Sequence, residues 1–311
     1  MRKIEVPVIL GPTAVGKSEL ALQLADGFGY DILSCDSRQI YKFMNIGTAK
    51  PSESELGRVK HWLVDIISPD EPYSAFNFAE DAASIIRKQH RDGKKVLICG
   101  GTGLYFHTLF SGMGMCTVSD KQTRIHLQNR ATVEGTERLH EELRKVDPET
   151  ALKIHSNDLQ RIIRALDIYY QTGKPMTLLQ KTGNPPEDME FFVFVLTRSR
   201  DDLYKRINMR VEDMFSRGLR EEFRKLRMMG FDENSPGMVS VGYRELFAVE
   251  EKRMDLQRAV ELIKQNTRHY AKRQMTWFRN KTRGFHLDIT SGAEKIQDWF
   301  CSRSANCRTE V

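Results

Sequence analysis

The sequence predicts an α/β fold, in which a parallel β-sheet has helices on both faces and is interrupted by an all-helical insertion. Short apolar strands alternate with helices over the first 117 residues, and a highly charged helical stretch with no convincing strand follows. A continuous apolar run, Phe191–Leu196, then has the composition of a buried parallel strand. We therefore predict a first core segment at 1–117, a helical insertion at 118–188, and a second core segment with basic C-terminal helices at 189–311.

The amino-terminal elements follow from local patterns. Val8–Leu10 is a β-rich run, and Pro7 should mark the first position of that strand because proline cannot donate to a sheet ladder. Ser18–Asp26 carries leucine and alanine at helical spacing and ends at Gly27. Two more short strands are predicted, at Asp31–Cys35 and at Trp62–Ile67.

The later elements alternate in the same way. Asn77-Phe78-Ala79-Glu80 is typical of a capping box and predicts a helix that runs to Gly93. Lys95–Cys99 predicts a strand, followed by a helix over Gly103–Phe110. The segments that follow are a mostly helical stretch, Arg124–Tyr170, with a break at Asp147-Pro148, and the strand Phe191–Leu196.

Composition excludes several classes of protein. With 311 residues, of which 40% are hydrophobic and 29% charged, the chain is too long for a stapled mini-scaffold and too apolar for a wholly disordered protein. No apolar stretch approaches the roughly 18 to 20 residues that span a bilayer, and Glu5 and Pro7 interrupt any amino-terminal signal. The five cysteines include no CxxC pair, which argues against a disulfide framework or a zinc ribbon. These observations predict a cytoplasmic protein with no membrane segment.

Positive charge is concentrated toward the carboxyl terminus. The net charge is +6, but Arg198–Arg283 holds 21 Lys or Arg against 13 Asp or Glu, so the rest of the chain is slightly acidic. Lys264–Arg283 contains seven basic residues and no acid, with Tyr270, Trp277 and Phe278 interleaved. This pattern suits a polyphosphate backbone with stackable bases, although a solvated helix face has the same composition.

A phosphate-binding loop follows the first predicted strand. Gly11–Ser18 reads GPTAVGKS, the GxxxxGKS pattern, between a strand and a helix. Glycines let consecutive backbone N–H groups face an anion, Lys17 reaches terminal phosphate oxygens, and the Ser18 hydroxyl can ligate Mg²⁺. A kinase, a nucleotide hydrolase and an enzyme that expels diphosphate all need such a site, so the loop leaves the reaction open.

Two further polar groups follow strands that should end at the same sheet edge. The second strand runs into Asp36, a carboxylate that can orient or deprotonate a nucleophile, hold a metal through water, or simply cap a turn. A later strand runs into Gly100-Gly101-Thr102-Gly103, where Thr102 is either a donor to a ligand or the cap of the next helix. The sequence therefore predicts one polar crevice formed by Lys17, Asp36 and Thr102.

Seven motifs, in order along the chain, resemble those of the bacterial tRNA dimethylallyltransferases, the tRNA isopentenyltransferase family. The motifs are Gly11–Ser18, Asp36–Tyr41, Gly47–Pro51, Gly100–Tyr105, Gln160–Leu166, Val241–Glu245 and Lys272–Phe278. They cover about residues 4–285. Val15 stands where the family often has serine, and Ser18 stands where it often has threonine, a change that keeps the metal-binding hydroxyl.

The resemblance implies a P-loop NTPase-like sheet and a prenyl transfer. A dimethylallyl group would pass from dimethylallyl diphosphate to N6 of the adenosine 3′-adjacent to the anticodon, with Mg²⁺ as cofactor and Ser18 as its ligand. Lys17 would stabilise the departing diphosphate, Asp36 would take the proton of the adenine amine, and Thr102 would position the reacting atoms. The implied diphosphate-binding residues are Gly11, Thr13, Ala14, Val15, Gly16, Lys17, Ser18 and Arg210.

The implied acceptor is a tRNA anticodon stem-loop, whose stacked base must be extruded to reach the site. The implied tRNA-binding residues are Asp36, Ser37, Arg38, Gln39, Thr102, Arg124, Gln160, Arg161, Ile162, Ile163, Arg164, Gly242, Tyr243, Arg244, Lys272, Arg273, Gln274, Thr276, Trp277 and Arg279. We expect the chain to act as a monomer and to bind no membrane.

Three other functions stay open. An adenylate isopentenyltransferase would use a free nucleotide, and it would not need the basic C-terminal segment. A P-loop small-molecule kinase would turn over ATP. An RNA-binding module with a vestigial phosphate loop would need neither Lys17 nor Ser18, and both are present.

Overall fold

The computed structural model describes residues 3–112, 120–180 and 183–304, which fall into two compact units. The first unit comprises the chain up to His107 and again from Glu187 onward, and the second is Thr108–Pro186. The sequence placed this second unit at 118–188, and its predicted start lies outside the described residues. The helix Gly103–Ser111 crosses the observed division, which falls between His107 and Thr108.

The first unit is built on a six-stranded sheet in which every neighbouring pair is parallel. Its order is β3-β2-β4-β1-β5-β6. The strands are β1 (Ile4–Leu10), β2 (Tyr30–Cys35), β3 (His61–Trp62), β4 (Lys95–Gly100), β5 (Met189–Thr197) and β6 (Phe285–Asp288). Successive residues of the central strands, such as Val8 with Ile9 and Leu97 with Ile98, are all fully buried. Because successive side chains point to opposite faces, the sheet is covered on both faces, as predicted.

Helices of the first unit alternate with the strands and then continue beyond β5. They are α1 (Lys17–Phe28), α2 (Glu53–Arg58), α3 (Ala75–Arg91), α4 (Gly103–Ser111), α10 (Arg200–Ser216), α11 (Leu219–Met228), α12 (Tyr243–Glu250), α13 (Leu256–Lys281) and α14 (Ile289–Cys301). Side chains of α1, α10, α13 and α14 pack with β1, β2, β4 and β5 in one apolar cluster. A second cluster joins α11 and α12 to the chain that follows β2.

The second unit is helical, as the highly charged segment predicted. Its helices are α5 (Lys121–Glu134), α6 (Thr136–Val146), α7 (Pro148–Lys153), α8 (Leu159–Thr172) and α9 (Met176–Gln180). The predicted break is at Asp147, which ends α6 and caps α7. Its buried carboxylate accepts hydrogen bonds from Thr150 and Thr177, so the break also ties α9 to α7.

Proline does not begin β1, contrary to the prediction. The strand starts at Ile4 and continues through Pro7, which lies opposite Phe192 of β5. Pairing of β1 with β4 begins only at Val8. Pro7 therefore lies where β1 has a neighbour on one side, a position that tolerates a residue without an N–H.

Two other local predictions needed correction, and one pair of elements had no prediction. The expected strand Trp62–Ile67 is reduced to β3, because Leu63 and Asp65 have positive φ angles of 60° and 56° that end an extended chain. The capping box of α3 uses Ser74 with Asn77, so the helix begins before the predicted residues. The pair β6 and α14 had not been predicted at all.

Among the described residues, no helix combines the length and apolar character needed to cross a membrane.

Truncation of Phe300 to alanine should destabilise the first unit strongly. The ring is fully buried on α14, with its centroid 5.4 Å from that of Phe28 and 5.1 Å from that of Tyr30. We expect Phe300→Ala to lower the free energy of unfolding by about 3 to 5 kcal/mol in a denaturant titration. Met228→Ala, at an 81% exposed residue, is the control and should change it by less than about 0.5 kcal/mol. A loss below about 1 kcal/mol at Phe300 would contradict the packing of α14.

Candidate active site

The phosphate loop connects β1 to α1 as the sequence predicted. Gly11 directly follows β1 and lies very close to β5. A Cβ on Gly11 would lie 2.9 Å from the Leu196 carbonyl oxygen. Ala14 and Gly16 have positive φ angles of 63° and 109°, and α1 begins immediately afterward at Lys17. Alternation of such left-handed residues with ordinary ones forms a concave backbone that binds anions at a helix N-terminus.

Two arginines hold the outer side of this loop. The Arg206 Nε donates to the Ala14 carbonyl at 2.9 Å, and the Arg198 Nε donates to the Val15 carbonyl at 3.2 Å. The Val15 side chain is fully buried in the core cluster beside α1. Because two carbonyls of the loop accept hydrogen bonds from arginines and the Val15 side chain packs in the core, the loop is fixed before any ligand binds.

Lys17 lies at the base of the loop. Its side chain is buried, and its Nζ lies 3.3 Å from the Pro12 carbonyl oxygen. Burial lowers the pKa of Lys17, whereas the Asp36 carboxylate raises it. Burial also lowers the pKa of the Arg210 guanidinium, which Asp36 opposes in the same way. Asp36 thus lies within the electrostatic reach of two partly desolvated cations.

Asp36 and Thr102 terminate neighbouring strands and are joined through Ser37. One oxygen of Asp36 accepts the Arg38 backbone N–H at 2.8 Å, so this carboxylate does cap a turn. The Thr102 hydroxyl accepts the Ser37 backbone N–H at 2.9 Å and lies 3.3 Å from the Ser37 Oγ. The Thr102 N–H in turn donates to the Cys35 carbonyl. The ends of β2 and β4 therefore form one rigid edge of the crevice.

Gln274 of α13 joins the phosphate loop to the glycine-rich turn after β4. Its Oε1 accepts the Thr13 N–H at 2.9 Å, and its Nε2 donates to the Gly101 carbonyl at 2.8 Å. The side chain is buried, and a Cβ on Gly101 would lie 2.5 Å from its Nε2. The sequence assigned Gln274 to tRNA, but both ends of its amide already hold the protein's own loops.

Two cavities adjoin at the phosphate loop and Asp36. One, of about 300 Å³, extends from Lys17 and Ser18 toward Ser34, Lys50 and His61. The other, of about 270 Å³, extends toward Gly47, Arg244 and Tyr270. The residues that line both are Thr13, Lys17, Asp36, Arg210 and Met214. A phosphate cradle and a carboxylate thus lie where the two cavities adjoin.

The second cavity is predominantly basic. Arg38, Arg210, Arg244 and Arg273 line it together with the aromatic ring of Tyr270. Burial raises the pKa of Tyr270 to about 12, and Asp36 adds to that rise. The phenol therefore stays protonated near neutral pH and can donate a hydrogen bond.

Some residues of the Val241–Glu245 and Lys272–Phe278 motifs serve the fold instead. Tyr243 is fully buried and donates its hydroxyl to Glu222 at 2.6 Å, and its contact with tRNA stays a prediction. Trp277 packs against Gly103, where a Cβ would lie 2.2 Å from the indole. The Gly242 N–H donates to Glu245. Three predicted residues, Lys272, Thr276 and Arg279, lie exposed on α13 and line neither cavity.

The predicted tRNA residues of the second unit lie around α8 and α5. Gln160, Arg161 and Arg124 are exposed, and Arg124 pairs with the buried Asp167 at 3.1 Å. Arg161 and Arg164 pair with acidic residues three positions away. Ile162 and Ile163 are buried in the core cluster of this unit. Their side chains therefore pack inside this unit, and their contact with tRNA stays a prediction.

Several cavity residues lay outside the sequence prediction. Tyr270, Thr48 and Met214 line the second cavity, and Glu222 contacts its wall. The basic and aromatic run of α13 includes Tyr270, and the motif Gly47–Pro51 includes Thr48, so both residues could have been found from the sequence. Glu222 had none, because its role depends on backbone groups far away in sequence.

A divalent cation would find few side-chain ligands here. The described residues contain no group of three His, Cys, Asp or Glu that could hold a metal ion. Ser18 is exposed in the first turn of α1, and it lines the same cavity as Asp36. This set fits Mg²⁺, which keeps most of its waters and is bound mainly through substrate phosphates.

Comparisons with known proteins agree with this architecture. A family model described as IPP transferase matches residues 39–281. The chain is 43% identical over 277 residues to a tRNA dimethylallyltransferase of Acetivibrio thermocellus, covering 88% of each chain. It is 40% identical over 287 residues to a tRNA dimethylallyltransferase of Thermotoga maritima, covering 92% of this chain and 93% of the relative.

Solved structures extend the likeness to the fold. A tRNA isopentenylpyrophosphate transferase from Staphylococcus epidermidis matches with a TM-score of 0.69 and 34% identity, covering 97% of this chain and 100% of that one. A eukaryotic dimethylallyltransferase acting on tRNA matches with a TM-score of 0.80 and 28% identity, covering 97% of this chain and 80% of that one. With a parallel sheet, a phosphate loop and a carboxylate at the strand ends, the chain belongs to the IPP transferase family.

Proposed function

We propose that this protein transfers a dimethylallyl group from dimethylallyl diphosphate to N6 of the adenosine 3′-adjacent to the anticodon in tRNA. The observation that carries this proposal is the pair of adjoining cavities that share Lys17, Asp36 and Arg210. A transfer between two separate substrates needs two approaches that meet at the reacting atoms. The IPP transferase family membership and the names of the relatives support this pairing of substrates.

The phosphate loop would bind the leaving group. The diphosphate would lie against the backbone N–H groups of Gly16 to Ser18, with Lys17 and Arg210 beside it. As the bond between the allylic C1 and the diphosphate oxygen breaks, its electron pair remains on the diphosphate. Fixed cations in a partly desolvated site stabilise that charge better than water does.

Asp36 would serve the nucleophile. A new bond forms between the adenine N6 and the allylic C1, and the amine must then lose one proton. Asp36 lies in both cavities and can accept that proton, since one of its oxygens is fixed by the Arg38 N–H. Thr102, held by Ser37 at the same edge, would position the reacting groups.

We propose Mg²⁺ as the cofactor and Ser18, with Asp36 through water, as its protein contacts. When bound, the ion would neutralise charge on the diphosphate. Ser18 follows Lys17 in the first turn of α1, so its hydroxyl lies beside the proposed diphosphate cradle. We also propose that the enzyme is monomeric, since both cavities are formed by a single unit of one chain. We further propose that it is cytoplasmic, as suits an enzyme that acts on tRNA.

The basic cavity would accept the extruded base and its flanking phosphates. Arg38, Arg244 and Arg273 would contact the phosphates, and Tyr270 offers a ring for stacking. A free adenosine phosphate would not need the exposed basic residues farther along α13, which favours tRNA over a free nucleotide. The deciding assay has three arms. The protein is incubated with dimethylallyl diphosphate and unmodified tRNA, with dimethylallyl diphosphate and AMP, and with ATP alone. Consumption of ATP, or prenylation of AMP but not tRNA, would contradict the proposal.

Lys17→Ala should remove a cation from the leaving group without touching the RNA. We expect the single-turnover rate of transfer to fall by at least about 100-fold. The Kd for an unmodified anticodon stem-loop should stay within about twofold, because Lys17 is buried at the base of the phosphate loop and the proposed phosphate contacts are Arg38, Arg244 and Arg273. Parental transfer activity in this variant would exclude the phosphate loop as the site of the leaving group.

Asp36→Asn should slow the chemical step while both substrates still bind. The amide oxygen can still accept the Arg38 N–H and keep the turn, but the amide cannot take the proton from N6. We expect a decrease of about 100-fold to 10,000-fold in the single-turnover rate with both substrates saturating. An unchanged rate would mean that Asp36 only caps its turn.

Arg273→Glu should weaken RNA binding and flatten its salt dependence. Each phosphate neutralised by the protein releases condensed counterions, so losing one contact reduces the slope of log affinity against log salt by about 1. Arg258→Glu is the matched control, because it places the same charge change on the same helix, about 22 Å away along its axis. Fluorescence anisotropy with an anticodon stem-loop at several salt concentrations measures both slopes. Equal slopes for the two variants would remove Arg273 from the RNA surface.

A further inference from the structure

A buried carboxylate on α11 holds the loop that forms one wall of the basic cavity. Glu222 is 9% exposed and accepts four hydrogen bonds. Its Oε2 accepts the N–H groups of Asn45 and Ile46, each at 2.7 Å. Its Oε1 accepts the Gly47 N–H at 3.0 Å and the Tyr243 hydroxyl at 2.6 Å. Three consecutive backbone donors and one side-chain donor thus converge on a single anion.

The Glu222 carboxylate joins two segments that both line the basic cavity. Gly47 and Thr48 belong to one wall, and Arg244, adjacent to Tyr243, belongs to another. The two segments touch, since a Cβ on Gly47 would lie 2.5 Å from the ring and hydroxyl of Tyr243. Only glycine fits there, so the loop rests directly on the aromatic ring.

A buried cation fixes the opposite side of the same loop. The Lys50 ammonium donates to the Tyr41 carbonyl, to the Asn45 Oδ1 at 3.0 Å and to the Asp65 carboxylate. Asn45 is the link, because its side chain accepts from Lys50 while its backbone donates to Glu222. The loop Met44–Lys50 is therefore held between a buried anion and a buried cation.

This arrangement costs free energy that a purely structural loop would not require. Removing a carboxylate from water is expensive, and hydrogen bonds from four donors offset that cost. Ala49 also has a positive φ of 47°, a strained backbone for a residue with a Cβ. Buried charge and backbone strain together at a cavity wall are typical of a segment whose exact position matters for ligand binding.

We propose, building on the function proposed above, that Glu222 is a positioning residue for the RNA substrate. It fixes Gly47–Thr48 and the beginning of α12 as one preorganised wall, so that Arg244 and the loop meet the extruded nucleotide together. Glu222 does not line either cavity itself. Its effect on binding therefore passes through the loop and through Tyr243.

Glu222→Gln tests this role with little change in volume. The amide oxygen can still accept from Asn45 and Ile46, which places the amide NH₂ against Gly47 and Tyr243. The Tyr243 hydroxyl can rotate to accept from that NH₂, but the Gly47 N–H cannot. The variant thus leaves one partly buried backbone donor unsatisfied, at a residue that lines the cavity.

We expect Glu222→Gln to raise the Kd for an unmodified anticodon stem-loop by about tenfold, the effect of one such unsatisfied donor. Amide hydrogen exchange in residues 45–47 should accelerate, whereas the Kd for dimethylallyl diphosphate should stay within about twofold. Tyr243→Phe removes one donor and leaves three, so it should weaken RNA binding by about threefold. It also provides the test if the glutamine variant fails to fold.

Phe223→Leu is the control for a general loss of stability. Phe223 neighbours Glu222 on α11 and packs in the same core cluster as Tyr243, but its side chain has no polar atom that could accept the loop N–H groups. It should lower the melting temperature while RNA affinity and exchange at 45–47 stay parental. The proposal is overturned if Glu222→Gln binds RNA as the parent does, or if Phe223→Leu weakens RNA binding equally. A parent that fails to prenylate tRNA would instead overturn the proposed function.

Discussion

The candidate site depends on the parallel register of β1, β4 and β2, in which Leu10, Gly100 and Cys35 lie opposite one another. The chain leaves all three strands at the same level, so the phosphate loop, Thr102 and Asp36 emerge side by side. Gly100 makes this alignment possible, since a Cβ there would lie 2.0 Å from the Cys35 carbonyl oxygen. A shift of one residue in any strand would move its polar group to another face of the sheet.

Hydrogen bonds that come from outside the sheet then fix the loops at this edge. Arg198 and Arg206 hold carbonyls of the phosphate loop, Gln274 spans from that loop to Gly101, and Glu222 holds the loop after β2. These donors and acceptors form hydrogen bonds with other groups of the protein itself. Ligand binding in such a site does not have to meet the entropic cost of ordering the loops, which leaves more of the binding energy for the transfer step.

Sequence reasoning succeeded where neighbouring residues carry the information. The parallel sheet, the GxxxxGKS loop and the positions of Asp36 and Thr102 at strand ends could all be inferred from short patterns. It did not predict burial within these motifs, since the side chains of Tyr243 and Ile162 pack inside. Glu222 could not be found at all, because backbone N–H groups leave no trace in the sequence. The positive φ angles of Leu63 and Asp65, which end β3, likewise could not be inferred from the sequence.

The contact between Thr13 and Gln274 joins residues 261 positions apart. During synthesis the chain emerges from its amino terminus, so the phosphate loop leaves the ribosome long before α13 does. The nascent sheet must therefore wait for its last long helix before Gln274 can close the loop against Gly101. A chain that stops short of α13 thus lacks this closure even though its phosphate-binding residues are complete.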